Sequence, residues 1–249
     1  MKIRLDKLLV SRGLTASRER AHALILAGKV LVAEQKIEKA GALVAEDAAV
    51  RLLGEDLRYV SRGGLKLEHA LSHWQLDVAG KSCLDVGAST GGFTDCLLQH
   101  GAAHVTAVDT GYGQIAMKLR QDARVRLVEK CNARLLSREL LAETVDLVVM
   151  DVAFISATLV LPPVVASAFP EEKGSRQGRF AVVLVKPQFE VGRELVGKGG
   201  IVRDAAAQLA AVEKVRQCVL SLGAQSIEVT DSPILGAEGN REFLLHAAF

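Results

Sequence analysis

The stretch "CLDVGASTGGFTDCLL", Cys83 to Leu98, decides the fold. A short apolar run leads to Val86, a glycine-rich turn follows, and a helical stretch begins behind it. Strand, turn and helix in that order open an α/β sheet, and in such sheets ligands sit beyond the strand ends. A dinucleotide site asks for G-x-G-x-x-G, whose second glycine lets backbone approach a pyrophosphate. Here the frame is Gly87, Ser89 and Gly92, so a serine stands in the middle. Asp85, at the end of the strand, would oppose a pyrophosphate but suits a ligand carrying an ammonium and a sulfonium. S-adenosylmethionine is that ligand; a nicotinamide dinucleotide and a purely structural turn are the alternatives. Asp109, ending the next strand, stands where an acid accepts hydrogen bonds from ribose hydroxyls.

Outward from this turn, strand candidates alternate with helical stretches: "SCLDVG", "HVTAVDT", "VRLVEK", "VDLVVMDV", "FAVVLVKP", "SIEVTDS" and "REFLLHAAF". The middle runs are continuously apolar, as strands covered on both faces are. The expected fold is a doubly wound, Rossmann-like α/β sheet, mostly parallel, with the last strand antiparallel to its predecessor across the short connection "PILGAEGN".

The N-terminal part differs in charge and pattern. Through Lys66 there are 13 basic and 8 acidic residues; the rest holds 18 and 21, and the 249-residue chain carries a net +2. Leu5, Leu8 and Leu9 share a helical face, as do Ala21, Leu24 and Ile25, with Thr15 or Ser17 as caps and Gly28 as a C-terminal stop. Short β-like runs follow ("KVLVAEQ", "ALVAE", "AVRLL"), giving a compact α+β unit ending near Gly54. The turn-prone "GEDLRYVSRGG", 54–64, reads as a linker. The division is 1–58 for the small domain and 59–249 for the large one, which includes the linker at 59–64.

Other classes are set aside on composition. Cys83, Cys96, Cys131 and Cys218 form no CxxC pair or His-flanked cluster, so neither a disulfide framework nor a zinc site is expected. Arg4, Asp6 and Lys7 interrupt any leader behind Met1, and "ISATLVLPPVVASAF" is too short to span a bilayer. The expectation is a cytoplasmic protein with no metal. His69 and His73 are four apart on a helix but lack a third ligand, and Trp74 beside them reads as core. Gly192, Gly197 and Lys198 match a phosphate-loop spacing, yet Gly199 follows where Ser or Thr is required. That segment reads instead as a mobile glycine loop over the active site.

"RLDKLLVSRGL", "SRERAHALILAGKVLV", "YVSRGGLKL", "LDVGASTGGFTDCLL", "MDVAFIS", "LVKPQFEVGR" and "GKGGIVRD" resemble the TlyA (hemolysin A) family from about Arg4 to Phe249. These are ribose 2′-O-methyltransferases of ribosomal RNA, with an FtsJ-like catalytic domain behind a small RNA-binding domain akin to that of ribosomal protein S-four. The resemblance implies a Lys-Asp-Lys-Glu tetrad at Lys66, Asp151, Lys186 and Glu242, with Glu238 competing for the last place. It implies cofactor contacts at Asp85, Gly87, Ala88, Ser89, Thr90, Gly91, Gly92, Phe93, Asp109, Asn132 and Asp151. The family points to a cytidine of large-subunit rRNA, with small-subunit rRNA added in longer members, the partner being free rRNA or a ribosomal subunit. The compactness of this chain favours the large subunit alone.

The chemistry agrees with such a tetrad. A ribose hydroxyl is a poor nucleophile at neutral pH, so the enzyme must align it and ease loss of its proton. A lysine does this if a second cation lowers its pKa, or by holding the oxygen while charge develops. Lys186 has that position, Lys66 is the second cation, and Asp151 and Glu242 orient the pair; taken alone, Asp151 also reads as a helix cap. Arg4, Lys7, Arg12, Arg18, Arg20 and Lys29, with Arg62 in the linker, form a candidate surface for RNA phosphates or simply a solvated face. Two rival functions remain at this stage: a cytolytic protein and a non-catalytic RNA-binding assembly factor.

Overall fold

The computed structural model describes residues 2–15, 17–53, 58–141, 144–170 and 176–249. It divides into two compact units, Met1–Leu57 and Arg58–Phe249.

In the small unit, strand β1 (Lys2–Arg4) pairs antiparallel with β4 (Leu43–Ala45). Helices α1 (Leu5–Ser11) and α2 (Arg18–Leu26) follow β1. Ser17 caps α2 by accepting the Arg20 N–H, so the cap is the serine rather than Thr15. Gly28, at φ +64°, ends the helix run. Strand β2 (Val30–Val32) lies between β3 (Gln35–Lys36) and β5 (Val50–Leu52). The expected leucine faces do meet: Leu5, Leu8 and Leu9 pack against Ala21, Leu24 and Ile25 in one core. Strand β1 was not anticipated, because three residues are too few to show a period. The expected end of this unit at Gly54, and residues 54–57 of the linker, lie outside the described residues.

The large unit opens with α3 (Gly63–His73), so the "GG" read as linker is the first turn of a helix. Then come β6 (Ser82–Val86), α4 (Gly92–Gln99), β7 (His104–Val108), α5 (Met117–Arg120) and β8 (Val125–Val128). The second half runs β9 (Leu147–Met150), α6 (Ala157–Ala168), β10 (Phe180–Val185), α7 (Pro187–Glu190), α8 (Ala205–Ser221), β11 (Ser226–Asp231) and β12 (Phe243–Ala248). All seven strands join one sheet in the order β11-β12-β10-β9-β6-β7-β8. Pairings among β6 to β10 are parallel, while β12 runs antiparallel to both β10 and β11.

Two cores explain the continuous apolar strands. Leu84, Val86, Val148 and Met150 face α6 and α8, whereas Cys83, Val105, Leu147 and Val149 face α3, α4 and α5. Alternate residues thus find apolar partners on both sides. The chain leaves β6 for β7 on one side and returns to β9 on the other, which puts the topological switch point between β6 and β9.

Candidate active site

The glycine turn is shaped by close approaches. Gly87, at φ +86°, lies so near β9 that a Cβ would sit 2.4 Å from the Asp151 carbonyl oxygen. Ser89 takes a left-handed backbone (φ +50°) and donates its N–H to Asp109 Oδ2 at 2.8 Å. A Cβ on Gly92 would lie 2.2 Å from Ser61 Oγ, so this glycine lets the start of α3 pack on the start of α4. Together these elements enclose a cavity of about 450 Å³, lined by Gly87–Thr90, Gly92 and Phe93 on one wall and by Lys66, Asp151 and Lys186 among the rest.

The four tetrad positions arrive from four elements. Lys66 rides on α3, Asp151 and Lys186 follow β9 and β10, and Glu242 precedes β12. Lys66 Nζ donates to Glu242 Oε2 at 2.5 Å, both groups being buried. Lys186 Nζ lies 2.5 Å from Asp151 Oδ1, a close ionic contact rather than an aligned hydrogen bond. Each lysine therefore has its own acid. Glu238 is exposed on a turn at φ +55° and does not line the cavity, and Glu242 is the glutamate that meets Lys66. Gly236 makes room for it, since a Cβ there would fall 2.0 Å from Glu242 Oε1.

Asp151 is not a helix cap. Ser156 caps α6 by accepting the Thr158 N–H, and Glu190 adds a second acceptor from α7. The buried Glu190 carboxylate accepts from the Ala157 N–H at 2.6 Å and from Ser156 Oγ at 2.5 Å. Glu190 thus ties the far end of the Asp151 loop to the short helix behind Lys186. Between these anchors, Phe154 stands 93% exposed at φ +64°, its ring 5.4 Å from that of Phe189.

Asp85 is fully buried beneath the turn rather than on the cavity wall. Its Oδ2 accepts from Thr94 Oγ1 at 2.6 Å, while Oδ1 has no partner. Burial pushes its carboxyl up to about 7; the Thr94 hydrogen bond opposes this, and the charges of Asp151 and Asp109 add to it. Asp109 holds the turn through Ser89 and also accepts the Gly111 N–H at 2.6 Å. Asn132 is exposed and caps a short 3-10 turn by accepting from the Arg134 N–H. Asp85, Gly91, Asp109 and Asn132 do not line the cavity, whereas the other turn positions do.

The cations singled out in the small unit differ in how free they are. Arg4 and Arg18 both bind the buried Asp6, at 2.8 and 2.9 Å, yet remain about half exposed. Arg12 donates to the carbonyls of Ala48 and Glu46 and so braces a loop. Lys7 and Lys29 are exposed, and Arg20 is half-buried. Arg62, in the large unit, lines the cavity.

The segment expected to be a mobile glycine loop is a pinned hairpin. Gly197 bridges Ile201, Asn240 accepts from the Val202 N–H and donates to the Gly200 carbonyl, and Gln208 donates to the Val202 carbonyl. The hairpin does not line the cavity. Sequence reasoning also passed over Ser61, Thr94, Phe154, Glu190 and Gly236. Only the paired glycines at 63–64 and 91–92 signalled close approach; Ser61, Phe154 and Glu190 meet partners distant in the chain, and Thr94 and Gly236 meet carboxylates that only the fold brings back to them. His69 and His73 stack at 5.7 Å between ring centroids and continue through Trp74 to His246. Among the described residues, no helix is long and apolar enough to cross a membrane.

Residues 59–249 match the FtsJ-like methyltransferase model and residues 3–50 match the S4 domain. The 16S/23S rRNA (cytidine-2′-O)-methyltransferase TlyA of Mycobacterium tuberculosis is 46% identical, over 98% of this chain and 89% of the relative. Hemolysin A of Brachyspira hyodysenteriae is 40% identical, over 98% of this chain and 99% of the relative. A solved structure from Streptococcus thermophilus, provisionally described as a hemolysin, superposes with a TM-score of 0.72 at 41% identity, covering 99% of this chain and 88% of that one. The chain belongs to the FtsJ-like methyltransferase family, in the branch whose members are named TlyA and hemolysin A, and carries an S4 domain at its N-terminal end.

Proposed function

We propose that this protein is an S-adenosylmethionine-dependent methyltransferase that modifies a cytidine ribose 2′ oxygen in ribosomal RNA, that of the large subunit. The observation that carries the reading is the pair of lysine–carboxylate couples, Lys66–Glu242 and Lys186–Asp151, whose lysines both reach the cavity enclosed by the glycine turn. Residues 1–58 hold the RNA in this reading, 59–249 perform the transfer, and the setting is the cytoplasm.

The residues fit the methyl donor. The cavity volume falls within the range of small-ligand sites, about 300–1,000 Å³. Three carboxylates, Asp85, Asp109 and Asp151, gather around the turn, and one Asp85 oxygen is buried without a partner. That field welcomes a cation and repels a diphosphate. When bound, the donor supplies an electrophilic methyl group on a positively charged sulfur. Gly87 to Thr90, Gly92, Phe93 and Asp151 would hold it directly, with Gly91 shaping the turn. Asp85 and Asp109 would act through their charge from behind it, and Asn132 would serve from outside the cavity.

Lys186 Nζ holds the ribose 2′ oxygen, and its contact with Asp151 fixes where the ammonium points. The hydroxyl proton is lost as the oxygen gains its methyl group, and the Lys186–Asp151 couple conducts that proton to solvent. Lys66, locked by Glu242, offers a second positive charge to the oxygen as negative charge develops there. Phe154, on the loop that follows Asp151 and against Phe189, presents an open aromatic face suited to stack on a base drawn out of the RNA. Arg4, Lys7, Arg18, Arg20, Lys29 and Arg62 meet phosphates, and Arg12 serves by bracing the surface that carries them.

The test is transfer of a labelled methyl group to rRNA, followed by mapping of 2′-O-methylation with and without the protein. Label on a cytidine ribose of large-subunit rRNA is expected. Binding of rRNA without any transfer would replace this reading with that of a non-catalytic assembly factor, and leakage of liposomes by the purified protein would favour a cytolytic one.

A further inference from the structure

The hairpin Gly197–Ile201 has no part in the cavity, yet two buried side chains hold it in place. Asn240 and Gln208 satisfy the backbone of Gly200, in its turn, and of Val202, just beyond it. The same Asn240 accepts the Gly236 N–H through its carbonyl at 2.8 Å, and Gly236 lines the cavity and abuts Glu242. The hairpin is therefore fastened directly to the wall that carries the tetrad glutamate. Buried amide side chains spent on an exposed turn fix its position, which a passive surface loop does not need.

The turn is held in position while presenting charge. Arg193, Lys198 and Arg203 are exposed, and none has an acidic partner among the described residues. The guanidinium of Arg203 lies against Gly197, about 3.5 Å from where a Cβ would be. Elsewhere in the large unit, Arg58, Lys118, Arg120, Arg124, Lys214 and Arg241 are each matched with an acid. Exposed Arg126, Lys130 and Arg134 are not, among the described residues, and lie away from the hairpin in sequence. What marks the hairpin is that its free cations sit on a pinned turn. A surface that leaves three cations unmatched beside a reaction cavity awaits an anion supplied by the substrate.

We propose that the hairpin Gly197–Ile201, with Lys198 at its turn and Arg203 behind it, is a phosphate-binding edge that grips the RNA backbone next to the nucleotide being modified. The assignment rests on the function proposed above and adds a substrate contact in the large unit, separate from the S4 domain. Its contribution is to hold the strand where it leaves the cavity, so it strengthens binding without touching the reacting atoms.

The experiment compares three forms of the full chain on rRNA at several salt concentrations: wild type, Lys198→Ala with Arg203→Ala, and Lys81→Ala with Arg126→Ala. The last pair removes the same charge from Lys81, just before β6, and Arg126, on β8, at the opposite, N-terminal edge of the sheet. KM for rRNA is expected to rise about tenfold in the hairpin variant, with the salt slope of RNA affinity reduced by about 1 per lost phosphate contact. Its kcat at saturating RNA and its calorimetric affinity for S-adenosylmethionine should stay at wild-type values, and Lys198→Arg should keep the wild-type KM. Equal losses in both double variants would reduce the effect to net charge and overturn the proposal, as would an unchanged KM. If the wild type moved no methyl group to rRNA, the functional reading itself would fall, and the hairpin assignment with it.

Discussion

Asp6 in the small unit and Asp85 in the large one are both shut away from solvent, 2% and 0% exposed, yet burial leaves them in opposite states. Asp6 is met by Arg4 and Arg18, and the Arg4 hydrogen bonds hold its carboxyl well below the usual carboxylate range. Asp85 has no cation, only hydrogen bonds from Thr94, and burial pushes it up to about 7. An acid buried with its own cations is a peg: it fixes two arginines whose outer faces stay open to solvent. An acid buried without one leaves a site whose charge is balanced only when a cation arrives. The Lys186–Asp151 couple combines the two, since the acid has its cation and both border the cavity.

The largest expected effect comes from breaking that couple. Lys186→Ala removes the group that holds the attacking oxygen and leaves Asp151 without its cation. Methyl transfer should fall by about 10²–10⁴, the span that acid–base and positioning groups supply, with S-adenosylmethionine affinity near normal. Single-turnover incorporation and calorimetry check the two halves, and unchanged turnover would remove Lys186 from the mechanism. Gly236→Ala comes next. Its methyl group would collide with Glu242, 2.0 Å away, and push it from Lys66. A displacement of about 1 Å near reacting groups costs roughly 10²-fold, so kcat should drop by that order while cofactor affinity holds.

Those two positions mark where sequence reading succeeds and where it stops. The middle strands were legible because burial on both faces makes each a continuous apolar run, which local sequence records. The edge strands β8 and β11 were legible by their place in the alternation of strands and helices. Asp151 and Lys186 were expected at strand ends, and Lys66 only through the family resemblance of "SRGGLKL". Gly236 was not, since its importance depends on a carboxylate six residues away that folds back onto it. Glu190 belongs to a legible motif, but its partners, Ser156 and Ala157, are more than thirty residues distant. Arg12 looked like its neighbours as a surface cation, and only the folded loop at 46–48 shows it engaged. The glycine hairpin was misjudged as mobile because the side chains that pin it, Asn240 and Gln208, lie outside its own segment.

A third prediction separates the two duties of the Asp6 peg. Removing its cations with Arg4→Ala and Arg18→Ala should weaken rRNA binding about tenfold and flatten its salt dependence. It should also lower stability at neutral pH, because Asp6 is then a buried charge without a partner. The sign follows from the depressed folded pKa: the contribution of Asp6 is present above its unfolded value and lost as pH falls through the folded one. Adding Asp6→Asn to the double variant should restore the melting temperature at neutral pH but not the RNA affinity. Recovery of both would mean that Arg4 and Arg18 serve folding alone.

The smallest effect tests the other side of the comparison. Asp85 has a folded pKa raised above its unfolded value, so its stabilising contribution is complete below the unfolded pKa and lost as pH rises through about 7. Asp85→Asn keeps the shape and the acceptor for Thr94 but cannot ionise. Without cofactor, the melting temperature of the variant should gain on the wild type between about pH 5 and about pH 8, by a few degrees at most, other titrating groups cancelling in the difference. Saturating S-adenosylmethionine should close that gap from the wild-type side, because the arriving cation stabilises the ionised carboxylate and the variant has none to stabilise. Parallel pH curves for the two proteins, with and without the donor, would mean that Asp85 ionises as freely as a surface acid, and the attraction between this turn and a sulfonium would need another source.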